Sequence, residues 1–584
     1  MKSFFKYVLA NMVAILILCG VFFFMFVMVI AVASASGSGK VRLKENTVLT
    51  LTSKVQIVDS PTEDRESLTF LSSDVPQNIM LYDILEAIKQ AKTDDKIKGI
   101  SLEADFLNAG FTQIDDIRRA LEDFKKSGKF VYAYGNMVSQ SSYYLGTVAD
   151  KYYLNPAGRV DLKGLSSEVV FYKDFTEKYG IGMEVLRHGK FKAAVEPFLR
   201  NEISEENKEQ LSKLLGDLWG NASAKIAVSR KIDAGAFKTV VDSLYGLIPE
   251  NTLKYRLTDQ LVQKSEYDKM LKTKLGLKSE DELHKVSFLN YIKSYESDKE
   301  EGERIAVLYA SGTIQDGNEY EGISSERYVE YIKELQQDDE VKAVVLRINS
   351  PGGSANASDE ILFELQQLKN KKPVVVSFGD YAASGGYYIA MAADKIYSSP
   401  NTLTGSIGVF GMIPNAKKLA ERNGIRSDVV QTNENANYIS LLQGLSPGGR
   451  MMMQKSVEGT YRRFVNFVAK NRQQTFDQID AVGGGRVWSG TAAKTLGLVD
   501  ELGTLNDAIA HAASLAKSKK YHVRSYPERM GIFEEFFGQM DEQELSTRWM
   551  KSQLSPSQYE IYRQVKTWDE NKGILMESPY KLVF

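Results

Sequence analysis

Cysteine is almost absent from this chain of 584 residues: the only one, Cys19, lies in an apolar stretch near the N-terminus. The rest of the chain therefore cannot form disulfides, use a thiol nucleophile or bind a metal through cysteine, which suits an oxidising compartment. An excess of charge is also absent, because 73 Lys and Arg offset 75 Asp and Glu to a net charge of −2. This balance indicates neither a nucleic-acid-binding surface nor an acidic tail.

A long apolar run opens the chain, since Met12–Ala33 holds 22 consecutive positions without a charge. As a helix it would span roughly 33 Å at about 1.5 Å per residue, enough to cross a bilayer core. Although Ala33–Ala35 resembles a signal-peptidase site, the run is longer than the apolar part of a cleaved signal peptide. We therefore expect a retained transmembrane anchor. Basic residues flank it on both sides, so charge bias leaves its orientation open.

An internal repeat organises the rest of the chain. Three pairs of segments align at one constant shift of 244 positions: Asp94–Asp105 with Asp338–Asn349, Ala133–Pro156 with Ser377–Pro400, and Glu177–Ile181 with Glu421–Ile425. One shift held over such varied residue types predicts a duplicated domain.

Strand-like and helix-like patterns alternate within each copy, which favours an α/β fold with parallel strands and crossover helices. The second copy, for example, has strand-like Ala343–Ile348, an amphipathic helix around Ser358–Leu368, and strand-like Val374–Phe378. The predicted domains are an anchor with its flank (1–45), a first copy (46–292), a charged linker (293–304), a second copy (305–537) and a C-terminal tail (538–584).

The segment 374–408 carries the main candidate for catalysis. A pattern typical of a buried strand is followed by very small residues around Ser384. A pattern of small residues typical of a helix comes next. This arrangement predicts an exposed elbow, where a serine nucleophile would lie beside free backbone N–H groups. A serine that only caps the helix is the alternative. A second glycine turn, Pro351–Gly353, follows the neighbouring strand. It can direct another backbone N–H at the same substrate oxygen. The alternative is that it is only a tight turn between a strand and a helix.

The two copies differ at these turns. Ser384–Gly386 corresponds to Gln140–Ser142, and Pro351–Gly353 corresponds to Leu107–Ala109. The first copy has therefore lost both the elbow and the second glycine turn.

The candidate bases for Ser384 lie in the first copy. Lys192 precedes three apolar residues that can desolvate its amine and lower its pKa, and it maps to Ala436 in the second copy. Lys190 and His188 are rivals in the same segment. The remaining histidines are distant from the elbow in sequence. We expect His284 and His522 at the surface and His511 on an amphipathic helix.

At these residues the chain resembles the long, duplicated form of the signal peptide peptidase A (protease IV) family. The motifs that carry the resemblance are Gly189–Phe198, Ser350–Gly353, Ala383–Tyr387 and Leu403–Gly408. The resemblance implies tandem ClpP/crotonase-like domains of spiral ββα units and a serine endopeptidase that needs neither cofactor nor metal.

The resemblance also assigns roles to individual residues. It implies Ser384 as nucleophile, Lys192 as general base and Ser406 as the residue that orients the lysine. It further implies an oxyanion hole among Gly385, Gly352 and Gly353, without deciding which N–H groups donate.

The resemblance extends to substrates and surroundings. It implies that released signal peptides are the substrates, and that the catalytic body faces the periplasm from the bacterial inner membrane. It implies a homotetramer, assembled as a ring or dome with the catalytic groove inside. Two other functions stay open at this point: a crotonase-type acyl-CoA enzyme, because paired oxyanion glycines also serve enolates, and an inactive envelope scaffold.

Overall fold

A computed structural model describes residues 6–7, 11–22, 24–25, 28, 43–61, 77–295, 301–320, 322–528 and 575–578. Residues 11–22 are helical and exposed. Within these described ranges, no helix is long and apolar enough to cross a membrane. The predicted anchor, Met12–Ala33, lies partly outside the described residues, and so do parts of the predicted linker and most of the predicted C-terminal tail.

Nine strands precede residue 296 in the described part of the chain: β1 Thr47–Thr52, β2 Val55–Val58, β3 Gln77–Met80, β4 Ile97–Glu103, β5 Phe130–Val138, β6 Lys151–Val160, β7 Gly182–Arg187, β8 Gln260–Leu261 and β9 Lys285–Ser287. The α-helices of this half are Leu81–Thr93, Phe111–Lys125, Gln140–Gly146, Lys173–Tyr179, Glu196–Leu199, Glu205–Arg230, Ala234–Asp242, Pro249–Lys254, Lys264–Lys274 and Phe288–Tyr295, and the 3-10 turns are Ala193–Val195 and Tyr245–Leu247.

Fifteen strands follow in the described residues after 300: β10 Glu303–Ser311, β11 Ile314–Gln315, β12 Ile323–Ser324, β13 Val341–Ser350, β14 Gly352–Ser354, β15 Val374–Ala383, β16 Lys395–Ser398, β17 Leu403–Gly405, β18 Phe410–Asn415, β19 Ile439–Ser440, β20 Gly444–Leu445, β21 Val487–Ser489, β22 Glu501–Leu502, β23 Tyr521–Tyr526 and β24 Leu575–Glu577. The α-helices are Ser325–Gln337, Ala355–Lys369, Gly385–Ile389, Lys417–Arg422, Pro447–Arg472, Phe476–Val482, Gly490–Thr495 and Leu505–Leu515, with a 3-10 turn at Ala390–Ala392.

Each half builds its own sheet. The first has the order β8-β6-β5-β4-β1-β9, and all its neighbouring pairs are parallel. The second has the order β21-β17-β15-β13-β10-β23, with β16 and β22 branching from β15, and its one antiparallel pair is β17 with β21. The predicted strands within β13 and β15, and the crossover helix between them, are confirmed.

The central strands form because both of their faces are covered. Along β13, Val344, Leu346 and Ile348 pack into one apolar cluster, whereas Ala343 and Val345 pack into a second cluster on the opposite face. Alternate residues of a strand point to opposite faces, so a nearly continuous apolar run is what a doubly covered parallel strand requires.

A third sheet joins the two halves, with the order β12-β11-β14-β24-β18-β7. Strand β7 comes from the first copy and pairs antiparallel with β18 of the second copy along their whole lengths. The C-terminal strand β24 lies between β14 and β18 and is antiparallel to both. This sheet brings the segment that follows β7 to the carboxyl ends of β13 and β15.

A buried charged cluster also links the copies. The Arg347 guanidinium, 1% exposed, donates to Asp59 of the first copy at 3.1 Å, and the Thr112 N–H donates to Asp380 at 2.8 Å. Burial raises the pKa of Asp116 to about 7, against the opposing charge of Arg347. Burial likewise raises the pKa of Asp380.

We predict that Asp116→Asn stabilises the protein at alkaline pH and not at acidic pH. Because the raised pKa keeps Asp116 protonated in the fold, its contribution to stability is lost as pH rises from about 4 to about 7. The amide cannot ionise, so the melting temperature of the variant should exceed that of the wild type by roughly 1–3 °C near pH 8. The difference should vanish only below about pH 4, where the unfolded chain is protonated as well. Calorimetry at both pH values tests this, and an equal difference at both would contradict it.

Candidate active site

The turn between β15 and the helix Gly385–Ile389 holds Ser384 in an unusual backbone conformation. Its φ is 56° and its ψ is −116°, which is a strained geometry for a residue with a side chain. Gln140, its counterpart in the first copy, is not among the residues with positive φ. The strain is therefore confined to the copy that has the serine, as expected of an elbow that presents a nucleophile.

Ser384 is completely buried, so the prediction that this elbow is exposed was wrong. A sequence pattern reports the local turn but not the distant chain segments that pack over it. One such segment is β24, which pairs with the neighbouring glycine turn.

Lys192 reaches Ser384 from the first copy. It directly precedes the 3-10 turn Ala193–Val195, beyond the end of β7. Its side chain is fully buried, and its Nζ lies 2.8 Å from the Oγ of Ser384. A neutral amine at this distance can accept the hydroxyl proton.

Burial sets the protonation of this lysine. It lowers the pKa of Lys192 from 10.5 to about 7, while the negative charge of Glu577 acts in the opposite direction. A lysine with an ordinary pKa would be a cation at neutral pH and could not act as a base.

Ser406 holds the lysine from the other side. Its Oγ lies 3.0 Å from the Nζ of Lys192, and its carbonyl oxygen accepts from the same amine at 3.2 Å. The residue has a positive φ of 49° in the turn after β17. These two contacts fix the direction of the amine, because together with Ser384 they occupy three positions around one nitrogen.

Two other residues of the first copy were candidates for the base. Lys190 is exposed, and its amine lies over the ring of Phe191. The ring of His188 stacks on Tyr461 with 3.8 Å between centroids. Among these three candidates in the described chain, Lys192 is the one whose side chain contacts Ser384.

The glycine turn Pro351–Gly353 lies beside the serine. Gly352 and Gly353 have φ values of 103° and 153°, which favour glycine. A Cβ on Gly352 would meet the amide nitrogen of Gly385 at 2.7 Å. The N–H that follows the serine and the glycine turn thus border one small space, as a hole for an oxyanion requires.

A glycine run that the sequence reasoning missed makes room for the lysine. A Cβ on Gly485 would lie 2.7 Å from the Cβ of Lys192, and the carbonyl oxygen of Gly484 accepts from the N–H of Phe191 at 3.1 Å. The triplet Gly483–Gly485 is visible in the sequence, but nothing in the neighbouring residues indicates which part of the chain it contacts. In the described residues, no three His, Cys, Asp or Glu side chains are placed to hold a metal.

The chain matches known peptidases over most of its length. The sequence model of peptidase family S49 matches it twice, at residues 123–278 and 366–519, and that of Clp protease matches residues 297–404. Lys192 lies in the first S49 match and Ser384 in the second.

Three relatives illustrate the similarity. Protease 4 of Salmonella typhi is 39% identical over 495 residues, covering 82% of this chain and 80% of that protein. Protease 4 of Haemophilus influenzae is 36% identical over 459 residues, covering 76% and 74%. The chloroplastic serine protease SPPA of Arabidopsis thaliana is 32% identical over 493 residues, covering 81% and 70%.

We predict that kcat/KM for peptide hydrolysis rises with pH through about 7 and then stays level, because Lys192 accepts a proton only as a neutral amine. Initial rates on one peptide from about pH 5 to about pH 10 measure this profile. His188→Gln is the control, since a histidine base would titrate close to the same pH. A midpoint near 10, or loss of the profile in His188→Gln, would contradict the prediction.

Proposed function

Because the chain belongs to peptidase family S49, as a serine-type peptidase of the duplicated protease 4 (SppA) form, we propose that it hydrolyses peptide bonds with a dyad of Ser384 and Lys192. The observation that carries this proposal is the 2.8 Å contact between the Lys192 amine and the Ser384 hydroxyl, both fully buried. Each copy thus supplies one half of the site.

In the proposed reaction, Lys192 takes the hydroxyl proton while Ser384 Oγ attacks the carbonyl carbon of the peptide. The N–H groups of Gly385 and of the turn at Gly352 and Gly353 stabilise the oxyanion. The lysine then returns its proton to the leaving amine, and water hydrolyses the acyl-enzyme by the same route. Ser406 keeps the amine aimed at Ser384 through both steps.

For substrate and location we propose released signal peptides at the bacterial inner membrane, with the catalytic body on the periplasmic side. The apolar stretch Met12–Ala33 supports an anchor, and two of the relatives come from bacteria. The pairing of the extended segment β24 between β14 and β18 supports the binding of an extended peptide at these two strands, because backbone ladder groups can bind an added strand. The parallel sheet in each half and the Clp protease match support a ClpP/crotonase-like fold for both copies.

We also propose a ring-shaped homotetramer. The repeat relates β7 to residues 426–431 and β18 to residues 166–171. Within one chain β7 and β18 pair, whereas the two related segments have no regular structure and are largely exposed. If residues 426–431 of one chain pair with residues 166–171 of the next, the contact is head-to-tail, and such contacts form a ring when the rotation between neighbours closes.

The dyad is tested by hydrolysis of a synthetic apolar signal peptide by the full-length chain in detergent, with products identified by mass spectrometry. We predict that Ser384→Ala abolishes cleavage and that Lys192→Met lowers it by about 100-fold or more, as loss of a general base does. Lys190→Met is the matched control and should retain activity.

Two other outcomes would contradict the proposed dyad or the proposed function. Substantial activity in Lys192→Met would remove the lysine from its role as base. Absence of cleavage by the wild type would favour a scaffold, or an acyl-CoA enzyme if acyl-CoA is turned over instead.

The ring is tested by Val430→Asp, since Val430 is fully exposed within residues 426–431. We predict that the wild type has the mass of a tetramer and the variant that of a monomer, because the new strand pair would bury an unpaired carboxylate. Light scattering after gel filtration measures both masses. Val228→Asp, at another exposed valine on the helix Glu205–Arg230, is the control and should remain tetrameric. A monomeric wild type, or a tetrameric Val430→Asp, would contradict the ring.

A further inference from the structure

A buried tyrosine of the second copy lies beside the segment that carries Lys192. Tyr461 is 1% exposed and belongs to the long helix Pro447–Arg472. Its ring stacks on the ring of His188, with 3.8 Å between the two centroids. The tyrosine therefore contacts the chain between β7 and Lys192 directly, although it comes from the other copy.

The hydroxyl of Tyr461 also binds the glycine run Gly483–Gly485. It accepts a hydrogen bond from the N–H of Gly484 at 3.2 Å and donates one to the carboxylate of Asp480 at 2.5 Å. Asp480 lies in the helix Phe476–Val482, which ends directly before the glycine run. Burial raises the pKa of Tyr461, so the hydroxyl keeps its proton at neutral pH and can make both bonds.

The glycine run forms one wall of the space around Lys192. A Cβ on Gly485 would lie 2.7 Å from both the Cβ and the backbone nitrogen of Lys192. The carbonyl oxygen of Gly484 accepts from the N–H of Phe191 at 3.1 Å. A backbone at this distance leaves no room for water along the lysine side chain, which is fully buried.

The same run contacts the residue that orients the amine. The N–H of Ser406 donates to the carbonyl oxygen of Arg486 at 2.7 Å, and the Oγ of Ser406 lies 3.4 Å from the carbonyl oxygen of Gly485. The N–H of Gly485 donates to the carbonyl oxygen of Ile407 at 2.8 Å. A displacement of the glycine run would therefore act on both Ser406 and Lys192.

We propose that Tyr461 is a positioning residue for the general base: its hydroxyl holds the glycine run against Lys192, which keeps the amine away from water and directed at Ser384. Asp480 supports this role by accepting the hydroxyl proton of the tyrosine in a hydrogen bond. The four motifs that carry the family resemblance do not include either residue. This inference rests on the proposed Ser384–Lys192 dyad.

Loss of the hydroxyl should loosen the run without changing a charge near the amine. Desolvation lowers the pKa of Lys192 to about 7, and Glu577 is the charge that acts against it. Tyr461→Phe keeps the ring beside His188 and leaves Glu577 in place, so the remaining change is easier access of water to the amine. Water stabilises the ammonium, so the pKa of Lys192 should rise in this variant.

The test is the pH profile of kcat/KM for hydrolysis of the synthetic signal peptide by the full-length chain, wild type beside Tyr461→Phe. At about pH 7 the variant should be roughly three- to tenfold slower, as expected for one lost hydrogen bond, and its midpoint should lie at a higher pH. At about pH 9.5 the difference should shrink, because the amine is then largely neutral in both proteins.

Two further variants separate this role from a general loss of stability, which would slow hydrolysis by one factor at every pH. Tyr143→Phe removes another buried hydroxyl, which donates to the carbonyl oxygen of Leu257 within the first copy, and should keep the wild-type midpoint. Asp480→Ala, at an exposed position, removes the acceptor of the Tyr461 hydroxyl. It should raise the midpoint by less than Tyr461→Phe does.

The profiles distinguish the possible failures. If the wild type rises through about pH 7 and both Tyr461→Phe and Asp480→Ala keep its midpoint, this inference is overturned and the proposed function stands. An equal shift in Tyr143→Phe and Tyr461→Phe would overturn it as well. If the wild type does not cut the peptide, or Lys192→Met cuts it equally well, the proposed function fails and the inference with it.

Discussion

The proposed chemistry depends on one lysine amine that is kept away from water beside one serine hydroxyl. Burial lowers the pKa of Lys192 to about 7, and the contacts with Ser406 and Ser384 direct its lone pair. Burying an amine without partners would cost several kcal/mol. Here the amine has three polar neighbours and need not carry a charge, so the fold can hold it at a tolerable cost.

Duplication divides this site between the copies. The strained serine turn and the glycine turn belong to the second copy, whereas Lys192 belongs to the first. The pairing of β7 with β18 holds the segment that carries Lys192 beside the serine. The buried Arg347–Asp59 contact also joins the copies, and the loss of either partner would leave a buried charge without compensation. The contacts that join the two copies thus also complete the site.

The sequence predicted the parts of this arrangement that are local. Repeated segments aligned at one shift, and apolar runs between glycine turns predicted β13 and β15 with the crossover helix between them. The difference between the copies singled out Ser384 and Lys192. Long-range packing could not be predicted from the sequence. The burial of Ser384, the contact of Gly485 with Lys192 and the pairing of β24 all depend on segments far apart in the chain. No periodicity within a segment records which distant backbone will lie against it.

Two opposite electrostatic effects meet at Lys192, and the balance between them depends on what fills the groove. Desolvation favours the neutral amine, while the carboxylate of Glu577 favours the ammonium. An external peptide with a neutral residue at that position would leave desolvation unopposed. Lys192 would then be neutral at a lower pH than when β24 is bound. The residue beside the amine therefore contributes to the protonation of Lys192.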